Sequence, residues 1–118
     1  MFQIDFASRT PIYTQLYNNV IKLASAGVLK PGDKLPPVRI IAEDLGINPN
    51  TAAKAYRELE SDGFIYSSVG RGSYLTDKLN GDSAQKLLAV KEFEKAIAEA
   101  MRAGVRKEQL IAAVEKAF

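Results

Sequence analysis

Hydrophobic positions near the start of the chain recur at the three- and four-residue spacing of an α-helix. The series runs from Ile12 through Leu16 and Val20 to Leu23. Before it, Thr10 can serve as a cap and Pro11 suits the first helical position. We therefore predict a first helix from this point, ended by Gly27 as a left-handed cap. The apolar side of this helix is predicted to face the core.

Two more helices follow, separated by a short turn. The first is predicted over 38–45, and only Gly46, Ile47 and Asn48 lie before the next. Asn48 is a good N-cap, and Pro49 then falls at the first helical position, where its missing N–H costs nothing. The predicted buried face of this third helix repeats at helical spacing: Ala52, Ala55, Tyr56 and Leu59. Two short helices joined by such a turn are typical of a helix-turn-helix.

The sequence then changes to a strand pattern. "FIYSS" and "SYLTD" are two predicted strands, separated by the glycine-containing turn "VGRG". A hairpin after a helix-turn-helix predicts a winged helix-turn-helix, placed in a domain over residues 1–76. The fold class is therefore mainly α with a small β-hairpin.

The last third of the chain is predicted to be a helical hairpin over 84–118, after a polar linker over 77–83. Apolar residues recur along its first helix and are interpreted as a dimerisation surface: Leu87, Val90, Phe93, Ile97 and Met101. Two helices are too few to enclose a core. This face must therefore pack on the winged domain, giving a monomer, or on a second chain, which we favour.

Composition limits the chemistry that the chain can perform. Among its 118 residues there is no cysteine and no histidine, which excludes thiolate chemistry and removes the commonest general base and metal ligand. The acidic residues of the winged part form no recognised catalytic or metal-binding spacing: Asp33, Glu43, Asp44 and Asp62. We therefore expect that the protein is not an enzyme and that it binds no metal and no cofactor.

The cellular location and the class of partner have to be inferred from local features of the sequence. No run of 18 apolar residues and no signal peptide is present, so we expect a cytoplasmic protein. A net charge of +2 is too small to indicate nucleic acid by itself. Any binding of nucleic acid must therefore rest on where the cations lie.

The start of the third helix carries side chains suited to DNA. In a helix-turn-helix this part of the second motif helix reaches base edges in the major groove. Asn50 can pair with adenine, Lys54 can donate to guanine, and Thr51 can contact a base or a phosphate. Each alone would be read as a solvated surface residue, but the set beside a short turn favours DNA binding.

Two arginines add to this surface. Arg39 begins the second helix, where a cation opposes the helix dipole. A phosphate contact therefore explains it better than stability does, and pairing with a surface Asp or Glu is the alternative. Arg71 lies between Gly70 and Gly72 at the hairpin tip, where a glycine backbone can approach a phosphate or a groove closely. Three tyrosines that could stack on bases share faces with aliphatic residues and are interpreted as core: Tyr13, Tyr17 and Tyr56.

Several motifs, in order, resemble the DNA-binding domain of the GntR family of bacterial transcriptional regulators. They are "PIYTQL", "GVLKPGDKLPPVR", "LGIN", "ESDGFI" and the wing "GRG", and they cover about the first two-thirds of the chain. The variant "NPNTAAKAY" and the short helical tail resemble the YtrA-like subfamily.

The resemblance implies a homodimer that binds a palindromic operator in double-stranded DNA and represses a nearby operon, often one for an ABC transporter. It assigns DNA contacts to Arg39, to Thr51 and Lys54, and to the wing at 70–72, which lies at the minor groove. Many members have arginines where this chain has Pro49 and Ala53. Base reading is therefore expected from the remaining polar positions of the helix start: Asn48, Asn50, Thr51 and Lys54.

One alternative from another class remains open. A winged helix can act as a protein–protein adaptor, but an adaptor should have an uncharged or apolar third-helix face and no basic wing tip. Asn50, Lys54 and Arg71 argue against that function. Steep salt dependence of binding to a duplex would separate the two.

Overall fold

The computed structural model describes residues 2–118 and contains five helices and one hairpin within that range. The elements, in chain order, are α1 (Ile12–Ser25), α2 (Val38–Leu45), α3 (Pro49–Ser61), β1 (Ile65–Ser68), β2 (Gly72–Leu75), α4 (Gly81–Arg102) and α5 (Lys107–Ala117). The predicted fold class, a mainly helical winged helix-turn-helix with a helical hairpin after it, is confirmed.

The strands form an antiparallel pair whose register runs from Ile65 opposite Leu75 to Ser68 opposite Gly72. Ile65 and Leu75 are buried, whereas the residues toward the hairpin tip are more exposed. The hairpin is therefore anchored to the core at its base and carries its turn out into solvent.

The chain divides into two compact units, called here the N-terminal unit, which ends at Leu88, and the C-terminal unit, Ala89–Phe118. The core of the N-terminal unit joins α1, α2, α3 and the hairpin. Its largest fully buried side chains are Leu16, Ile21, Leu35, Leu59, Ile65, Leu75, Leu79 and Val20. This core fixes the third helix and the hairpin in one body.

The start of α1 differs from the prediction. Pro11 itself is the capping residue, and no side chain closes the helix end. Gln15 instead ties the preceding segment to the helix, because its Oε1 accepts from Asp5 N at 2.8 Å and its Nε2 donates to Asp5 O at 3.0 Å. Thr10 contributes only its carbonyl, which accepts from the same amide.

The predicted linker over 77–83 is also different in the structure. Leu79 is fully buried, and α4 begins at Gly81 rather than at Ala84. Asn80 and Ser83 cap the helix reciprocally, since Asn80 Oδ1 accepts from Ser83 N and Ser83 Oγ accepts from Asn80 N, both at 3.0 Å. The N-terminal unit therefore extends into α4, beyond the boundary predicted at residue 76.

Candidate nucleic-acid interface

The turn between α2 and α3 has the geometry that the sequence predicts. Gly46 ends α2 in the left-handed region at φ 66°. Asn48 then caps α3, because its Oδ1 accepts from Asn50 N at 2.8 Å, and Pro49 occupies the first helical position. The cap occupies the oxygen of Asn48, so this side chain would contact another molecule through its Nδ2 group.

The two faces of α3 are separated as predicted. The face turned to the core carries the predicted residues, all of them buried: Ala52, Ala55, Tyr56 and Leu59. Asn50 and Lys54 are exposed and Thr51 is partly exposed. The start of α3 therefore presents an amide, a hydroxyl and an ammonium group to solvent from a helix that is fixed on its other side.

Lys54 is held at its tip by an aromatic ring. Its Nζ lies 3.9 Å from the ring centroid of Tyr13 on α1. An ammonium over a tyrosine face at this distance forms a cation–π contact. Tyr13 is therefore only partly a core residue, because one face of its ring supports a cation of the candidate interface.

Tyr17 and Tyr56 are buried, which confirms their interpretation as core. The hydroxyl of Tyr17 donates to Asp62 and that of Tyr56 to the carbonyl of Pro36. Burial raises the pKa of both phenols well above their usual value, and the hydrogen bond to Asp62 raises that of Tyr17 further. Neither ring is presented to stack on a base.

Arg39 is exposed at the second residue of α2. Pro37 precedes the helix, and no side chain caps this end. The positive end of the helix dipole and the guanidinium thus lie in the same first turn. Such an arrangement suits an anionic ligand better than it suits the helix itself.

The hairpin tip holds Arg71 in a fixed backbone conformation. Gly70 and Gly72 adopt φ 75° and 111°, both in the region that favours glycine. Arg71 N donates to Ser68 O at 3.0 Å, and the Tyr74 hydroxyl donates to Arg71 O at 3.1 Å. The exposed guanidinium therefore projects from an ordered turn.

Lys34, to which the sequence patterns assign no role, lies beside the hairpin in the structure. It forms an isolated antiparallel bridge with Tyr74. Leu35 N donates to Ser73 O, and Gly32 N to Leu75 O, each at 2.8 Å. This segment follows the turn in "KPGDKLPP" and pairs with a strand far along the chain, which local patterns do not reveal.

The C-terminal unit has a different kind of surface. An open apolar groove of about 420 Å³ lies between its helices, and it is lined by Phe93, Ile97, Lys107, Leu110, Ile111, Val114 and Glu115. Of the predicted dimerisation residues, Phe93 and Ile97 line the groove, while Val90 and Met101 are exposed outside it. Leu87 differs, because it lies in the N-terminal unit and packs against its core.

Other classes of site find no support in the part of the chain that the structure describes. Within residues 2–118 there is no group of three or more acidic residues placed to hold a metal ion. Over the same range, no helix is both long and apolar enough to cross a membrane.

Comparisons with known proteins agree with these features. Residues 12–75 match the family model of the bacterial regulatory proteins of the gntR family. The HTH-type transcriptional repressor YtrA of Bacillus subtilis (strain 168) is 43% identical over 112 residues, covering 93% of this chain and 86% of YtrA. These relatives are regulators of transcription and not enzymes.

Solved structures give the same result. A GntR family transcriptional regulator from Listeria monocytogenes superposes with a TM-score of 0.69 at 37% identity, covering 94% of this chain and 98% of its own. The AraR DNA-binding domain in complex with operator ORX1 superposes with a TM-score of 0.55 at 26% identity, covering 64% of this chain and 93% of its own. The chain belongs to the GntR family of bacterial transcriptional regulators, and its similarity to YtrA makes it YtrA-like.

Proposed function

We propose that this protein is a homodimeric repressor that binds a palindromic operator in double-stranded DNA. The observation that carries the proposal is the start of α3, where a side-chain cap and a buried opposite face hold exposed Asn50 and Lys54 in place. The name of YtrA as a repressor supports repression. The complex of the AraR DNA-binding domain with an operator supports a DNA operator as the ligand.

Each candidate side chain has a separate task in this proposal. Asn50 pairs with adenine and Lys54 with guanine in the major groove, while Thr51 contacts a base or a phosphate. Asn48 donates from its Nδ2 group, because its oxygen caps the helix. The phosphate and groove contacts that set the position of the domain come from Arg39 and from the wing: Gly70, Arg71 and Gly72.

The C-terminal unit is proposed to pair with the same unit of a second copy. Lys107, Ile111 and Glu115 are spaced four residues apart, so they share one face of α5, and all three line the apolar groove. A two-fold axis through Ile111 would place Lys107 of each copy opposite Glu115 of the other. The surface is thus complementary to itself in charge as well as in its apolar centre, as a two-fold interface requires.

A homodimer also explains how few cations suffice for binding. Two copies read two half-sites about one helical turn apart, which gives the operator its palindromic form. Following the resemblance to YtrA-like regulators, we propose that the regulated operon is of transporter type. A protein that acts on bacterial chromosomal DNA works in the cytoplasm.

The DNA part is tested by fluorescence anisotropy of labelled duplexes at several salt concentrations. A duplex from the region upstream of the protein's own gene is compared with an unrelated duplex of the same length. We expect tight, salt-sensitive binding that prefers the upstream duplex. Weak and equal binding to both would contradict the proposal and favour a winged-helix adaptor that recognises a protein.

The dimer is tested by sedimentation of the wild type and of Ile111→Asp. The wild type should sediment as a dimer, and the variant, which buries a charge at the centre of the proposed interface, as a folded monomer. A wild-type monomer at all concentrations, or a variant that remains dimeric, would contradict the proposed interface.

A further inference from the structure

The side chain of Lys34 is directed onto the wing by the strand pairing beside it. Leu35, its neighbour, is buried at 1% exposure, while Lys34 is exposed. Because successive side chains of extended backbone point to opposite faces, Lys34 lies on the solvent face of the hairpin. The bridge to Tyr74 and the hydrogen bond from Leu35 N to Ser73 O fix this position along β2.

The side chain of Lys34 then crosses the backbone of Gly72. A Cβ added to Gly72 would lie 2.8 Å from Lys34 Cε and 3.6 Å from Lys34 Nζ. Such a Cβ would make the end of the lysine side chain move, whereas glycine leaves this position open and permits φ 111°. The ammonium therefore lies beside the residue that follows Arg71.

The electrostatic surroundings leave this ammonium available to an anion. Within residues 2–118 the Lys34 side chain forms no hydrogen bond or ion pair. Asp33, the acidic residue next to it, accepts from Lys30 N at 2.9 Å. The wing thus carries two cations, Arg71 at its tip and Lys34 across Gly72.

We propose that Lys34 contacts a DNA phosphate next to the one held by Arg71, so that the wing clamps the backbone with two cations. This inference rests on the proposed binding of DNA, and it adds a residue from outside the helix-turn-helix and the hairpin. A lysine acts on phosphate as a point charge and reads no base. Its removal should therefore weaken binding to every sequence alike.

The test measures the dependence of the binding constant on salt for Lys34→Gln, with the operator duplex and with an unrelated duplex. The slope of log K against log salt is negative, and we expect its magnitude to fall by about 0.9 for each phosphate that the protein no longer neutralises. The ratio of the two affinities should stay at the wild-type value. Lys34→Arg keeps the charge and should keep the slope.

Two further variants separate this inference from the proposed function. Lys22→Gln removes an exposed lysine of α1 and should leave the slope unchanged. Arg71→Gln should lower the magnitude of the slope. A wild-type slope for Lys34→Gln beside a lowered slope for Arg71→Gln would overturn the role of Lys34 and leave the wing contact intact. Wild-type slopes for both would overturn the proposed DNA interface as well.

Discussion

The two units of this protein share a pattern of apolar residues at helical spacing but differ in how far those residues are buried. Both carry apolar residues at helical spacing, yet every buried residue of the described chain lies between Leu16 and Ala84. In the C-terminal unit Phe93 is 50% exposed and Met101 64% exposed, and α5 has no buried residue. An apolar stripe favours packing of that helix face against another surface, but the pattern does not say whether the same chain or another supplies the surface.

The difference has a physical origin in the amount of surface each unit can enclose. Three helices and a hairpin surround a common interior, so Leu59 on α3 reaches zero exposure. Two helices can cover only one side of each other, which leaves an open groove. Stability in the N-terminal unit should therefore be independent of protein concentration, whereas that of the proposed C-terminal interface should depend on it.

The largest expected effect comes from the core of the N-terminal unit. Leu59→Ala should lower the free energy of unfolding by about 2–5 kcal/mol, because it removes buried methyl groups and leaves a cavity. Urea denaturation measures the decrease. Ile111→Ala is the matched control and should cost less than about 0.5 kcal/mol at concentrations too low for a dimer. Equal decreases for both variants at every concentration would mean that the C-terminal unit has a core of its own.

The next effect separates DNA reading from assembly. Lys54→Ala should weaken binding to the operator by about 1–3 kcal/mol and relax the preference at one base position. Its dimer should sediment as the wild type does. The variant also lacks the cation–π interaction with Tyr13, worth about 0.5–1 kcal/mol at an exposed site, so its melting temperature is measured alongside. Unchanged operator affinity would remove Lys54 from the interface.

A smaller effect tests the two-fold arrangement of α5. Lys107→Glu and Glu115→Lys each turn two expected attractions into repulsions, and each should raise the dimer dissociation constant about tenfold. An equimolar mixture of the two variants should recover the wild-type constant, since every pair in the mixed dimer is again of opposite charge. If the mixture is no tighter than the single variants, α5 does not pair across an axis at Ile111.

Local chemistry explains which parts of this structure could be predicted from the sequence. The turn from Gly46 to Pro49 depends on a left-handed glycine, a side-chain cap and a proline, all close in the chain. The hairpin tip around Arg71 likewise depends on residues close in the chain, the glycines with positive φ on either side of it. Such features need no knowledge of what lies across the molecule, and the structure has them where the sequence indicates.

Most of the features that sequence reasoning missed depend on distant contacts, although the caps of α1 and α4 are local. Lys34 acquires its position from pairing with Tyr74, forty residues later. Leu79 is a single apolar residue in a polar stretch, yet it is fully buried, and Leu87 packs against the core of the same unit. The polar composition of residues 77–83 predicts a linker, and helical spacing alone places Leu87 on the predicted dimer surface.

The smallest expected effect is that of substituting Asn48, which caps α3 and is also proposed to contact DNA. Substitution by alanine removes both functions at once. Asn48→Ala should lower the free energy of unfolding by about 1 kcal/mol, because the first turn of α3 loses the acceptor for Asn50 N. Operator binding should weaken as well, through the loosened helix start and through removal of the Nδ2 group. Thermal denaturation and anisotropy measure the two effects separately.

Asn48→Ser divides these contributions, since serine caps a helix about as well as asparagine but carries no amide group. Stability should return to nearly the wild-type value, so any remaining decrease in operator affinity belongs to the Nδ2 contact. If Asn48→Ser binds the operator as the wild type does, the residue is only a cap, and base reading by α3 begins at Asn50. Either result concerns the N-terminal unit alone, because the dimer dissociation constant should be the same in all three proteins.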